Sequence, residues 1–426
     1  MNRTIRTLTL SAVLGLWATA VVAQSPVRRV SLDEALRLFA ANNLDLRVAR
    51  LETAMLGGVA RQAGAFANPT LSVTHEPLSG GASDYSESYV NLSQTLELPG
   101  QRSARVQEAE WALRAAHARV RADSARLAFE VKRAYLEAAL AEEQLAVTER
   151  VAGVFREAAR SAAVREERGD ISRYDLQRIL VERARYENLV AEAQIRASSV
   201  RRSLALLVLP ESDVVEVSPR EVDDEFPPVP TLEHLADGMS TSLRPEVASA
   251  EATVEAAAAA AGLTRAERLP DITATGGLKR QSDGLTGLFL GLSIPVPLFN
   301  RSAGDVESAQ ARVSASQTRL DLIRRRVDND LSRAIEAYES VRRRAELLGV
   351  DGLDPSADLL QMAQVAYDLG EMGLLEILDA AEALRSGRNT ASQLKSDLWT
   401  AYYDLERAMG GLDADSQPTN DPETER

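Results

Sequence analysis

Glu376 and Asp379 are the first residues in this chain whose type and spacing could do chemistry. They lie three apart, so a helix would place both carboxylates on one face, where they would attract cations. Most pairs of this kind simply belong to a solvated helix face. The familiar catalytic and metal-binding arrangements are missing from the sequence. His75, His117 and His234 are far apart, and none belongs to a ligand pair at short spacing. His75-Glu76 falls at the outer end of a strand-like run and reads as part of a rim. Cysteine is absent, which excludes disulfides and thiolate metal sites. There is no nucleophile elbow, phosphate loop or HExxH motif, and carboxylate pairs alone do not make an enzyme. The chain therefore reads as a non-enzyme with no cofactor and no metal site. Its net charge of −14 argues against nucleic acid as a partner and against a basic membrane-surface patch.

What must position the acidic pair is a plan that occurs twice. Asn68-Pro69-Thr70-Leu71 and Leu269-Pro270-Asp271-Ile272 each open an alternating segment. Leu92-Ser93 and Leu292-Ser293 sit in the strand-like runs that follow. Gly169-Asp170 with Asp175-Leu176 returns as Gly370-Glu371 with Glu376-Ile377. These landmarks keep one offset of about 200 residues, the mark of an internal duplication.

Residues 1–23 read as an export leader: Arg3 and Arg6, an apolar stretch from Leu8 to Val22, and a small-residue cleavage site at Val21-Val22-Ala23. The apolar run is short for a spanning helix. The first repeat covers 24–209, with strands at about 70–78 and 88–97 and a helical hairpin at about 101–208 whose tip falls near 168–171. An acidic, Pro-rich linker follows at 210–240 and is expected to run along the outside. The second repeat covers 241–409, with strands at about 271–279 and 287–297 and a tip near 369–372. Its ascending helix is interrupted at Gly349 to Pro355, as a kink or a loop. Residues 410–426 read as a disordered tail.

The helical tracts are very long. No proline intervenes between Pro99 and Pro210, and Leu113, Val120 and Leu127 recur every seven residues before Val131, Tyr135, Leu145 and Val151. The first helix would reach roughly 90–100 Å, too long for one globule. Each strand-like run alternates and is near the length that crosses a bilayer as a tilted strand. The strand pairs either pack as soluble hairpins on the helices or cross an outer membrane. Four strands cannot close a barrel, and an open edge in lipid leaves backbone groups unpaired. The membrane reading therefore requires several copies to pool their strands, and three copies would close a barrel.

With these features the chain resembles the TolC family of outer-membrane efflux channels over nearly the whole mature sequence. Ser93-Gln94-Thr95-Leu96-Glu97-Leu98-Pro99-Gly100-Gln101-Arg102 and Pro295-Val296-Pro297-Leu298-Phe299-Asn300-Arg301 look like the strand-to-helix junctions of its cobalt–zinc–cadmium resistance branch. The resemblance implies a mixed α and β protomer, internally duplicated, with four transmembrane strands. As a homotrimer it would form a twelve-stranded barrel in outer-membrane lipid and an α-helical tunnel in the periplasm. It implies docking with a periplasmic adaptor and an inner-membrane pump, often of the resistance-nodulation-division type. In the family the positions matching Glu376 and Asp379 project into the pore at its periplasmic constriction. Three copies would make a ring of carboxylates there that favours cations. Asp175 matches a position that helps link neighbouring helices, and Tyr367 a tyrosine of the closed gate. Met372 stands where the best-studied members have Arg. Arg168, Gly169, Asp170 and Ile171, with Leu369, Gly370, Glu371 and Met372, match the tips that meet the adaptor.

Two readings from other classes compete. A periplasmic adaptor has one helical hairpin where this chain has two, and an envelope coiled coil does not need Pro-bounded strand pairs. Within the efflux reading, metal ions, drugs or secreted proteins remain as cargo.

Overall fold

The computed structural model describes residues 27–78, 80, 85–210, 216–220, 244–348 and 355–410. The leader at 1–23, His234, the break at 349–354 and the tail beyond 410 fall outside the described residues, as does most of the linker.

The long helices form because nothing in their sequence stops them. Helix α3, Gln101–Arg168, runs 68 residues between Gly100 and Gly169, both at positive φ. At 1.5 Å per residue it spans about 100 Å. Helix α4, Arg173–Val208, returns beside it. In the second repeat, α6 (Ala303–Leu348) and α7 (Pro355–Leu369) descend in succession, and α8 (Leu374–Ala408) returns. Before each strand pair stands a shorter helical stretch that strand and hairpin signals do not announce. These are α1 (Leu32–Asn42) and α2 (Leu44–Ala63) in the first repeat and α5 (Pro245–Ala266) in the second. Ser31 and Asn43 start α1 and α2 by accepting the backbone N–H of Glu34 (3.2 Å) and Leu46 (3.1 Å).

One part of the linker departs from the expected outside course. Strand β4, Glu216–Pro219, pairs in parallel with β1, Val27–Val30. Its Val217 and Ser218 are buried. Val217 joins a core with Val30, Phe39, Leu46, Val131, Tyr135 and Leu204, which ties β1 and α1 onto α3 and α4. Burying an aliphatic or Phe side chain of this kind contributes about 1.5–3 kcal/mol.

The remaining strands are β2 (Thr70–Leu78), β3 (Tyr85–Leu96), β5 (Ile272–Gln281) and β6 (Thr286–Ser293). They form one antiparallel sheet in the order β2-β3-β5-β6. Strand β3 begins three residues earlier than its alternation suggests. Strand β6 stops at Ser293, because Pro295 and Pro297 have no N–H to donate to a ladder. The register sorts the side chains cleanly. Val73, Val90, Leu278 and Leu288 face one another in a row, and Leu71, Leu92 and Leu290 lie in the row of Gly276. On the opposite face the rows read Ser72, Asn91, Gly277, Phe289 and Thr70, Ser93, Thr275, Gly291. Leu288 and Leu290 are each 82% exposed, so the aliphatic face is bare within one chain. No described helix is long and apolar enough to cross a membrane.

The first junction motif is where the sheet is fixed to the helices. Gln101 is buried; its Oε1 accepts the N–H of Leu98 (2.8 Å) and its Nε2 donates to the carbonyl of Leu269 (2.6 Å) in the other repeat. Arg105 holds Glu97 at 2.5 Å and donates to the carbonyls of Ala63 and Ala65, at the end of α2. Arg102 donates to Gly64 and lies over the Phe66 ring at 4.2 Å. Gln101→Leu keeps the side chain's bulk but removes the partners of two part-buried backbone groups, the N–H of Leu98 and the carbonyl of Leu269, at up to about 1–3 kcal/mol each. Its expected effect is a thermal midpoint several degrees lower in detergent; an unchanged midpoint would mean that water satisfies both groups.

Candidate functional site at the paired helical tips

The two tips repeat one another down to individual hydrogen bonds. In the first, the N–H of Gly169 donates to Glu166 (2.9 Å) and that of Asp170 to Arg165 (2.8 Å). In the second, Gly370 donates to Tyr367 (3.0 Å) and Glu371 to Ala366 (2.8 Å). Gly169 and Gly370 sit at φ 81° and 80°, a left-handed conformation that lets the chain close a helix and reverse. The helices then restart alike. Ser172 and Asp175 form a reciprocal capping box, and the Glu376 carboxylate accepts the N–H of Gly373 at 3.0 Å. Asp175 and Glu376 are therefore helix-capping groups within one chain, each held by the positive end of its helix.

Asp379 lies one turn further along α8, exposed like Glu376, while Ile377 between them is buried. Tyr367 is not exposed. It is 4% accessible and belongs to a core with Phe155, Ala162, Ile179, Tyr186 and Ile377 that joins the two hairpins. Phe155 and Tyr186 stack there at 4.6 Å between centroids. Burial pushes the Tyr367 hydroxyl above its ordinary pKa, with Arg165 pulling the other way.

Among the tip residues proposed to meet a partner, Leu369 and Met372 are exposed, as are Arg168, Gly169, Asp170, Gly370 and Glu371. Ile171 instead packs half-buried against the hairpin core. Tyr174 and Leu375 add large exposed apolar groups beside the tips.

Arg165 is the residue that sequence reasoning missed. Its guanidinium donates to the carbonyl of Tyr367 at 3.1 Å and lies over that ring at 5.3 Å from the centroid. A cation at a helix C-terminus meets the negative end of the dipole, so Arg165 clamps the end of α7 from the opposite hairpin. An arginine in the last turn of a helix is common, and nothing in the sequence singles this one out. No group of three or more His, Cys, Asp or Glu side chains that could hold a metal ion occurs among the described residues.

Two long hairpins with linked tips, joined to a four-stranded sheet with an aliphatic face, define a channel-type protomer. The chain belongs to the outer membrane efflux protein family, whose sequence profile matches residues 35–206 and 239–411. It is an outer-membrane protein with its helical tunnel in the periplasm, and its family and fold are those of transport channels. It is 26% identical over 382 residues to the cobalt-zinc-cadmium resistance protein CzcC of Cupriavidus metallidurans, covering 89% of this chain and 90% of that protein. It is 28% identical over 317 residues to the nickel-cobalt-cadmium resistance protein NccC of Alcaligenes xylosoxydans xylosoxydans, covering 71% and 68%. Among solved structures, the Campylobacter jejuni CmeC outer membrane channel superposes with a TM-score of 0.74 at 15% identity, over 96% of this chain and 94% of that one.

Arg165→Gln removes the clamp's charge and keeps most of its length. Amide hydrogen exchange across Leu369–Gly373 is expected to quicken by about tenfold, the effect of losing one charge-assisted hydrogen bond of about 1.5 kcal/mol. Unchanged exchange there would show that the apolar core alone holds the tips.

Proposed function

We propose that this protein is the exit duct of a tripartite heavy-metal efflux system, assembled as a homotrimer with a periplasmic adaptor and a resistance-nodulation-division pump. The observation that carries this reading is the similarity to two proteins named for metal resistance, over 89% of this chain for the first and 71% for the second, together with a first junction motif in which Ser93, Gln94, Glu97, Gln101 and Arg102 all have partners. Three copies of the four-stranded sheet would supply twelve strands to one barrel. The sheet's aliphatic rows would then face lipid and its Ser, Thr, Asn and Lys rows water.

In this duct the tips carry the gate. Glu376 and Asp379 from each copy would ring the periplasmic constriction, where clustered carboxylates raise the local concentration of cations. Asp175 and Tyr367 support the ring from behind, the first as a helix cap and the second as the buried seat of α7. The exposed ends at Arg168, Gly169, Asp170, Leu369, Gly370, Glu371 and Met372 would meet the adaptor, with Ile171 bracing them from the core. Pumping and cargo selection then belong to the inner-membrane partner, and this chain needs no cofactor.

Deletion of the gene in its native host is expected to sensitise cells to zinc, cobalt or cadmium and to raise their metal content. Drug sensitivity with normal metal content would assign the duct to another pump. For the gate, Asp379→Asn combined with Glu376→Gln retains the helix cap and removes both charges. Purified channels in planar bilayers should then lose much of their preference for cations over anions; unchanged selectivity would place these residues outside the constriction.

A further inference from the structure

The duplication predicts how one copy meets the next, because helix α5 already shows the arrangement inside one chain. Helices α2 and α5 hold the same place in their repeats, each leading into a strand pair and then a long helix. Helix α5 packs against two long helices, α6 of its own repeat and α3 of the other. Helix α2 packs mainly against α3, the long helix of its own repeat. Its second flank carries Leu44, Val48, Leu51, Met55 and Val59, from 41% to 71% exposed. This is a stripe at helical spacing that the described residues of its own chain leave largely open. At the matching places α5 carries Ser249, Ala252, Ala256 and Ala260, all partly covered.

The stripe continues into Phe66, 72% exposed, and then into the unpaired edge of β2. The opposite border of the chain is complementary in layout. It begins at the unpaired edge of β6, passes through Leu298 and a fully exposed Phe299, and continues down α6. Depth along the border follows from the repeat. Ala122 and Asp123 of α3 line one cleft with Ser249 of α5. Aligned through Arg102 with Arg301 and Ser103 with Ser302, the counterpart of Asp123 is Leu322, and that of Ser249 is Val48. Both counterparts are exposed hydrophobics, Leu322 at 46% and Val48 at 54%.

We infer that α2 of one copy seats against α6 of a second copy as α5 seats against α3, with Val48 opposite Leu322. This rests on the assembly proposed above and adds its determinant. The joint inside a chain combines small residues such as Ala122, Ser249 and Ala250 with the charged Arg119, Asp123 and Glu246 and the buried Gln101, whereas the joint between copies would be made of the large aliphatic side chains of the α2 stripe and Leu322. Two joints of different chemistry keep the repeats in alternating order around the tunnel, since an α2 stripe fits poorly where alanines are packed.

The absence of cysteine allows a direct test. Full-length protein carrying Val48→Cys and Leu322→Cys is purified from membranes, oxidised or treated with a short bis-maleimide, and run on a denaturing gel. A second pair, Met55→Cys with Ala315→Cys, lies two turns away in the antiparallel sense and guards against one variant misfolding. A covalent ladder rising to three chains for either pair, and no ladder for the single variants, is the expected result. Native mass spectrometry of the same samples separates the failures. Trimers that form no ladder with either pair overturn the seam and leave the assembly standing. Monomers throughout overturn the assembly, and the seam with it.

Discussion

The structure depends on one constraint: a backbone N–H or C=O in hydrocarbon must have a partner. The sheet of this chain has an aliphatic face fit for lipid and two edges, β2 and β6, without partners of their own. Each unpaired group in the bilayer core costs several kcal/mol. An edge of eight or nine residues therefore cannot be tolerated by one copy alone. In the proposed trimer the barrel would be a property of the assembly, and the bare flanks of α2 and α6 beneath it would be covered in the same way.

Everything below the sheet extends that solution into water. Gln101, Arg102 and Arg105 fix the sheet to the helices by donating to backbone carbonyls at the ends of α2 and before β5. Helix α3 then runs uninterrupted for about 100 Å, with small residues such as Ala138, Ala141, Ala158 and Ala162 buried along it. At the far end the same geometry closes both hairpins, and Arg165 ties them together. The two repeats are alike in backbone and unlike in chemistry. Asp379 stands where the first repeat has Arg178, which confines the acidic pair to one of the two tips.

Much of this was legible in the sequence, for physical reasons. Alternation and proline placed the strands, and Gly169 and Gly370 placed the tips, because few other residues accept a left-handed turn. Helices α1, α2 and α5 were not legible in the same way. Helix α5 is largely alanine and carries no contrasting stripe; α1 and α2 do carry apolar residues at helical spacing behind the Ser31 and Asn43 caps, but they are brief beside the long tracts and most of the α2 stripe faces away from the chain's own core. Strand β4 lay hidden in a segment whose prolines and acids suggested an outer course, since its buried run is just Val217, Ser218 and Pro219. The double role of Glu376, acidic tip residue and helix cap, needed coordinates, as did Arg165, which reaches across a tertiary contact that no local pattern encodes.

The central claim is that the sheet's edges are closed by further copies in the outer membrane. Amide hydrogen exchange of the full-length protein in native membranes tests it most directly. Closure predicts that amides of the edge strands Thr70–Leu78 and Thr286–Ser293 exchange as slowly as those of β3 and β5. Rapid exchange of the outward-directed amides of β2 and β6, with slow exchange in the central strands, would contradict it.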